Sequence, residues 1–340
     1  MDKPPLSVGL IGLGQMGRNH LRILSMLKGV TVAFVSDADE AAGRRIADQF
    51  GLSFRADVDD AFREVDAVII CTPTSTHEDY VRRASRNVKN IFVEKPLAHS
   101  LAASEALQEL AAAKGINLQV GFIERFNPAV RELKAVLREP ASVISVDFMR
   151  TNKVSSRITD VDVIIDLMIH DIDLALHVNG PVASVFAHGL VQNDMIVFAS
   201  ALLTHLNGRF SRIQASRITD KKMRLIQATC ADMFVNCELV RKEVVITRHL
   251  VQDLNEPAPY IMSSVEETLA VGPEEALLSE LQAFFVNCAT PGSVDVPQAA
   301  DGVRAMSICE KIQQLVMSGE AGELPVTQEP SHVQRQRQVA

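Results

Sequence analysis

Short, wholly apolar runs alternate with helically spaced segments through the first third of the chain. Val8–Ile11, Val30–Val35, Ala67–Cys71, Ile91–Val93 and Leu118–Val120 lack the polar alternation of a half-solvated strand. Between them, Gln15 to Leu27 (apolar at Met16, Leu21, Leu24 and Leu27), Asp39–Phe50, His77–Arg86 and Leu101–Lys114 carry the spacing of helices. Strands buried on both faces and separated by helices predict a parallel, doubly wound sheet. Ligands of such sheets sit at the carboxyl ends of the strands.

Beyond Gly121 the pattern changes. A helix is predicted from Ala129 to Arg138, then a strand, Ser142–Met149, a polar segment from Arg150 to Arg157, and an apolar stretch of period near 3.6 from Asp162 to Val178. Alternating runs follow at Val182–His188, Met195–Leu203, Arg209–Ser216, Met223–Thr229, Met233–Cys237 and Val244–Arg248. They read as consecutive antiparallel strands. Helices over Pro273–Cys288 and Val296–Met317 close the chain. The expected organisation is two domains, over residues 1–122 and 123–340, both α/β.

Composition narrows the partners. With 340 residues and 47% apolar content, the chain has enough material for two cores. A net charge of -8, no Trp and 2 Tyr argue against a nucleic-acid surface, so an anionic substrate requires a locally basic pocket. No apolar run approaches membrane-spanning length, and Met1-Asp2-Lys3-Pro4-Pro5 is not the start of a signal peptide, so a cytoplasmic location is expected. The 5 cysteines are scattered without zinc-ligand spacing and are expected as free thiols, with no metal.

Chemistry enters at the strand ends. Gly12-x-Gly14-x-x-Gly17 follows the first strand and opens a helix. Gly12 permits the tight turn, Gly14 lets a pyrophosphate approach the backbone, and Gly17 lets helix and strand pack. Asp37 ends the second strand about 20 residues on, where a ribose-binding acid belongs. A carboxylate there repels a 2′-phosphate, which favours NAD over NADP, although Arg44 and Arg45 follow on the next helix. Thr72-Pro73-Thr74-Ser75-Thr76-His77 ends the third strand, with Ser75 or Thr76 expected to cap a helix. Glu94-Lys95-Pro96 ends the fourth, where a lysine beside a nicotinamide can hold an alkoxide. Asp166 and His170, four apart on a predicted helix, share a face and are expected to hydrogen-bond, either as a buried structural pair tying helix to sheet or as a general base in which Asp166 fixes the imidazole tautomer and His170 takes a proton.

Gly12-x-Gly14-x-x-Gly17 with His20, Thr72-Pro73-Thr74 with His77, Glu94-Lys95-Pro96 and Asp166-x-x-x-His170-x-x-Asp173 together resemble the Gfo/Idh/MocA family of nicotinamide-dependent sugar oxidoreductases. The resemblance implies a dinucleotide-binding Rossmann domain over residues 1–122, then a substrate-binding and oligomerisation domain over 123–340 with a large, open, mostly antiparallel sheet that joins a homodimer or homotetramer. It implies NAD against Gly12, Leu13, Gly14, Gln15, Met16, Gly17, Asp37, Thr72, Pro73, Thr74, His77, Glu94 and Lys95. Lys95 and His170 are then expected at the reacting carbon, with Asp166 supporting His170, and the Lys95–Pro96 bond is expected cis. Which of Lys95 and His170 accepts the proton is left open.

Within the family, Phe122 to Val130 and Arg157-Ile158-x-Asp160 ahead of Asp166 to Asp173 are similar to the branch that oxidises the 3-hydroxyl of UDP-N-acetylglucosamine. That likeness implies a 3-keto nucleotide sugar, which an aminotransferase aminates for lipid A or surface glycan. Its substrate is expected against Arg125, Asn127, Lys153, Arg157, Asp166 and His170, with the three basic residues neutralising the diphosphate. Two other readings stay open: an NAD(P)-dependent dehydrogenase of a free polyol or sugar such as an inositol, and a non-enzymatic NAD-binding regulator.

Overall fold

The structure is a computed structural model and describes residues 4–137, 143–152, 161–251 and 262–319. The first sheet is parallel, built from β1 (Leu6–Ile11), β2 (Val30–Ser36), β3 (Ala67–Ile70), β4 (Asn90–Glu94) and β5 (Asn117–Gly121) in the order β2-β1-β3-β4-β5. A parallel bridge from Val35 to Phe54 adds a stub of a sixth strand outside β2. The order reverses direction between β1 and β3, and this reversal makes the crevice in which doubly wound folds bind ligands.

Four helices cover this sheet: α1 (Gln15–Leu24), α2 (Glu40–Phe50), α3 (His77–Ala84) and α4 (Leu101–Lys114). Several of their ends are set locally. Asp39 accepts from the Ala42 N–H at 3.0 Å to start α2, Ser100 accepts from the Ala103 N–H at 3.2 Å to start α4, and left-handed Gly51 and Gly115 end them. The start of α3 differs from expectation. Neither Ser75 nor Thr76 caps it, and the Thr76 hydroxyl instead turns back to Thr72 Oγ1 and the Pro73 carbonyl, both at 2.8 Å.

The second sheet has the order β13-β12-β11-β10-β6-β9-β8-β7. Its strands are β6 (Val143–Thr151), β7 (Val182–Gln192), β8 (Met195–His205), β9 (Phe210–Ser216), β10 (Met223–Cys230), β11 (Met233–Glu238), β12 (Glu243–Val251) and β13 (Met262–Leu269). The run from β7 to β12 is therefore not a simple antiparallel meander. β6 inserts between β9 and β10, pairing parallel with β9 and antiparallel with β10. β13 escaped the sequence pattern because residues 264–268 are all exposed: an edge strand with no buried face shows no apolar alternation.

Three further helices join the halves: α5 (Pro128–Val136), α6 (Ile169–Asn179) and α7 (Ala276–Ala289), with α8 (Ala299–Ser318) last. The helix predicted from Asp162 is not uniform. Residues Ile164–Met168 form a π turn that runs into α6, started by Asp162 Oδ1 accepting from the Ile164 and Ile165 N–H groups. The chain then returns to the first sheet. Leu277, Leu281, Phe284 and Phe285 of α7 pack with Val8, Leu10, Leu21 and Phe92, while α8 lies along α4, α6 and β7.

Candidate active site

The three glycines of the first turn are required by different neighbours. Gly12 has φ +86, and a Cβ on it would stand 2.6 Å from the Cys71 carbonyl oxygen. A Cβ on Gly17 would overlap the Gly12 carbonyl oxygen. At Gly14, which heads α1, a Cβ would meet no protein atom within 4 Å. The fold itself demands Gly12 and Gly17, whereas Gly14 leaves open space at the start of α1. That space suits a phosphate approaching the N–H groups of a helix start.

Asp37 is already aimed. Its Oδ2 accepts from the Leu13 N–H at 2.6 Å and its Oδ1 from the Asp39 N–H at 2.9 Å, which holds the side chain beside the glycine turn. Arg44 pairs with Glu40 at 3.0 Å and lies over the Phe54 ring at 4.7 Å, so its charge is already engaged. The residues thus fit a dinucleotide with a free ribose diol.

At the neighbouring strand ends, His77 is buried with Nδ1 2.8 Å from the Pro96 carbonyl and Nε2 2.9 Å from the Thr72 carbonyl. Burial lowers its proton affinity, and the ring ties the Thr72–Thr76 turn to the Lys95–Pro96 segment. The Lys95–Pro96 bond is cis, as expected. Glu94 makes a contact the sequence did not signal: its Oε1 lies 2.7 Å from Nε2 of fully buried His20 on α1. Cys71 stands close enough that, among the described residues, His20, Cys71 and Glu94 form one group with metal-donor spacing. Burial and the nearby carboxylates Glu94 and Glu280 push the Cys71 thiol up, so it is a neutral thiol rather than a thiolate.

Lys95 reaches across to the second domain. Its Nζ donates to the Asp166 main-chain oxygen at 2.7 Å and lies 3.8 Å from Asp166 Oδ1. Asp166 Oδ2 accepts from Arg217 Nη2 at 3.1 Å. Asp166 therefore orients Lys95, not His170, and the expected Asp166–His170 hydrogen bond is not made. The π turn is the reason: the Ile169 N–H, between the two residues, reaches back five positions to the Ile164 carbonyl, so Asp166 and His170 lose the shared register of i,i+4 neighbours in a regular helix. His170 keeps a buried Nδ1 with no partner. Burial comes first among the causes that hold its pKa well below the usual histidine value, followed by the positive charges of Lys95, Arg150 and Arg224. The result is a neutral imidazole beside a lysine ammonium that burial has weakened as a cation.

Two expected substrate residues belong to the scaffold. Arg125 bonds Asp173 through Nε at 2.8 Å and Nη2 at 2.5 Å, and Asp301 through Nη2 at 3.0 Å, with 8% of its side chain exposed. Asn127 is buried and caps α5, its Oδ1 accepting from the Ala129 N–H at 3.1 Å. Its amide is spent on Glu124 and the Leu239 carbonyl. Lys153 and Arg157 lie outside the described residues. The sequence reading missed Arg150, Arg217 and Arg224, on or beside strands β6, β9 and β10, because their period-two placement does not distinguish a surface arginine from an inward one. A cavity of about 840 Å³, lined by Pro73, Thr74, His99, Ile165, Asn193 and Gln313 among others, adjoins the turn after β3.

Comparison with known proteins agrees with the fold. Residues 6–122 match the family model described as an oxidoreductase family with an NAD-binding Rossmann fold, and residues 142–232 match that of the GFO/IDH/MocA C-terminal domain. UDP-N-acetylglucosamine 3-dehydrogenase of Acidithiobacillus ferrooxidans is 29% identical, over 82% of this chain and 88% of its own. The solved structure of that enzyme superposes with a TM-score of 0.83 at 25% identity, over 93% of this chain and 99% of the other. An inositol 2-dehydrogenase of Acidothermus cellulolyticus is 36% identical over 49% of this chain and 51% of its own.

Proposed function

The chain belongs to the GFO/IDH/MocA oxidoreductases, with an NAD-binding N-terminal domain, and from that premise we propose that it oxidises the 3-hydroxyl of UDP-N-acetylglucosamine. The observation that carries this reading is the likeness to a UDP-N-acetylglucosamine 3-dehydrogenase through both domains. NAD, when bound, supplies the hydride acceptor. His170, neutral because burial and three neighbouring cations disfavour its charging, takes the proton of the 3-hydroxyl. Lys95, steered by the Asp166 carbonyl and carboxylate, donates to the oxygen as negative charge develops on it. Arg217 fixes the Asp166 carboxylate from the far side, so Asp166 and Arg217 act through Lys95. The product is a 3-keto nucleotide sugar suited to an aminotransferase that builds a 3-amino sugar for lipid A or surface glycan.

The second sheet supports a homo-oligomer, dimer or tetramer. Phe186 and Leu202, cross-strand partners on β7 and β8, are 64% and 42% exposed in the single chain. No helix among the described residues is long and apolar enough to cross a membrane, and a cytoplasmic place beside NAD and nucleotide-sugar pools follows from the proposed reaction.

The second reading, a dehydrogenase of a free polyol, is favoured by the higher identity to an inositol 2-dehydrogenase over half the chain. NADH absorbance with purified protein, NAD and either UDP-N-acetylglucosamine, free N-acetylglucosamine or myo-inositol separates the two, with a ketone trap to draw the equilibrium. Turnover confined to the UDP-sugar is expected. Turnover confined to myo-inositol would replace the substrate while keeping the roles of Lys95 and His170.

A further inference from the structure

Among the described residues, four arginines stand around α6 and the π turn that leads into it. Three are spent. Arg125 serves Asp173 and Asp301, Arg150 serves Asp171 and Glu124, and Arg217 serves Asp166 with the Val161 and Asp162 carbonyls. Their side chains are 8%, 3% and 7% exposed. Arg224 differs on both counts. Its side chain is 39% exposed, and only Nη1 has a protein partner, Glu124 Oε1 at 3.1 Å.

The sheet register explains where Arg224 points. On antiparallel strands β10 and β6, Arg224 stands directly opposite Arg150, so both side chains leave the same face. Both guanidiniums meet the same oxygen of Glu124, Arg150 Nη1 at 2.9 Å. Arg150 continues from there to both oxygens of Asp171, the residue after His170. Two carboxylates, Glu124 and Asp171, thus neutralise two guanidiniums, but Arg150 takes most of the contacts. Arg224 is held at one corner, with Nε and its second terminal nitrogen unengaged. Its charge also contributes to keeping His170 neutral.

In a UDP-sugar the diphosphate leaves C1, two ring carbons from the reacting C3. The anion must then be met within a side chain's reach of the proton acceptor, in a protein whose net charge of -8 repels it elsewhere. We propose that Arg224 is the residue that recognises the substrate's diphosphate, its unengaged Nε and terminal N–H groups gripping a phosphate oxygen pair while Glu124 fixes the other arm. This inference rests on the nucleotide-sugar reading and replaces Arg125, whose fork is closed by Asp173. A planar guanidinium suits two phosphate oxygens, whereas an ammonium offers a point charge.

The test compares wild type, R224Q, R224K and the exposed-surface control R241Q in steady-state assays with NAD and UDP-N-acetylglucosamine, and with UDP as competitive inhibitor. Loss of a charge-assisted phosphate contact predicts that R224Q raises the UDP-sugar KM and the UDP Ki on the order of 10- to 100-fold. The KM for NAD should stay within about twofold, because the dinucleotide is held by the first domain. R224K should fall between wild type and R224Q, R241Q should match wild type, and added salt should weaken UDP binding less in R224Q than in wild type. A wild type that turns over the UDP-sugar, with unchanged KM and Ki in R224Q, removes Arg224 from recognition and leaves the proposed function standing. A wild type that uses myo-inositol and ignores the UDP-sugar removes both. Should R224Q not fold, R224K decides alone: it keeps a cation for Glu124, and an unchanged UDP Ki overturns the proposal.

Discussion

Glu280 on α7 is fully buried, and neither carboxylate oxygen has a hydrogen-bond partner among the described residues. Burial pushes its pKa well above the ordinary value, with the carboxylates of Glu94, Asp173 and Glu124 adding to the shift. It is therefore held as a neutral acid in the fold. The unfolded chain ionises it near 4.5, so above that pH the folded state binds a proton that the unfolded state has released. Stability is then greatest below the unfolded pKa and is lost as pH rises toward the folded one, at about 1.4 kcal/mol per pH unit. Gln is isosteric and does not titrate, so Glu280→Gln should cancel this slope whatever constant offset the amide adds. The assay is urea unfolding of both proteins between about pH 5 and 8, followed by far-ultraviolet circular dichroism because the chain has no Trp. The difference, wild type minus variant, should fall steadily across that window until it flattens at the folded pKa. Parallel curves across the window would refute the burial of a neutral, unpartnered acid, because a carboxylate already ionised in the fold has no titration left above the unfolded value near 4.5.

Gly14→Ala and Gly17→Ala should separate ligand from fold. The first should leave stability within about 1 kcal/mol while weakening NAD binding, and the second, whose Cβ overlaps the Gly12 carbonyl oxygen, should lower the melting temperature as well; calorimetry with NAD titration reads both. In the pH profile of kcat/KM, the acid limb set by His170 should lie well below the ordinary histidine pKa, since activity needs the neutral ring and is lost only when pH falls far enough to charge it. His170→Asn should reduce kcat on the order of 100- to 10,000-fold with NAD affinity intact, and a variant near wild-type rate would discard the proton-acceptor role. Arg150→Met, which leaves Asp171 buried without its fork and Glu124 with Arg224 and the Asn127 amide, should cost about 3–5 kcal/mol in denaturant unfolding.

Much of the first sheet was legible because its signals are local. The apolar runs located β1 to β5, and α4 runs over the predicted Leu101–Lys114 because Ser100 caps its start and Gly115 ends it. The helix around Asp166 misled for the same reason that helical pattern reading usually works: apolar spacing reports a helical face, and it does not report that one turn has widened to π geometry. Motifs singled out Lys95 and His170 as candidates, but the partner of Lys95 was not legible. Asp166 answers Lys95 across 71 residues, and Arg125 is closed by Asp173 and Asp301 at separations of 48 and 176.

By itself, then, the sequence determined the parallel α/β domain, the glycine turn with its Asp37, and the presence of Lys95 and His170, since the positive φ of Gly12, the close approach of Gly17 to Gly12, caps and apolar period act within a few residues. Only the tertiary structure decided that β6 separates β9 from β10, that Asp166 serves Lys95, that Arg125 is spent while Arg224 is open, and that Glu280 is a buried acid. Those outcomes depend on which charges and which strands meet from distant parts of the chain. A residue's type fixes what it can bond to, but its charge state and its availability are set by the neighbours that folding brings to it.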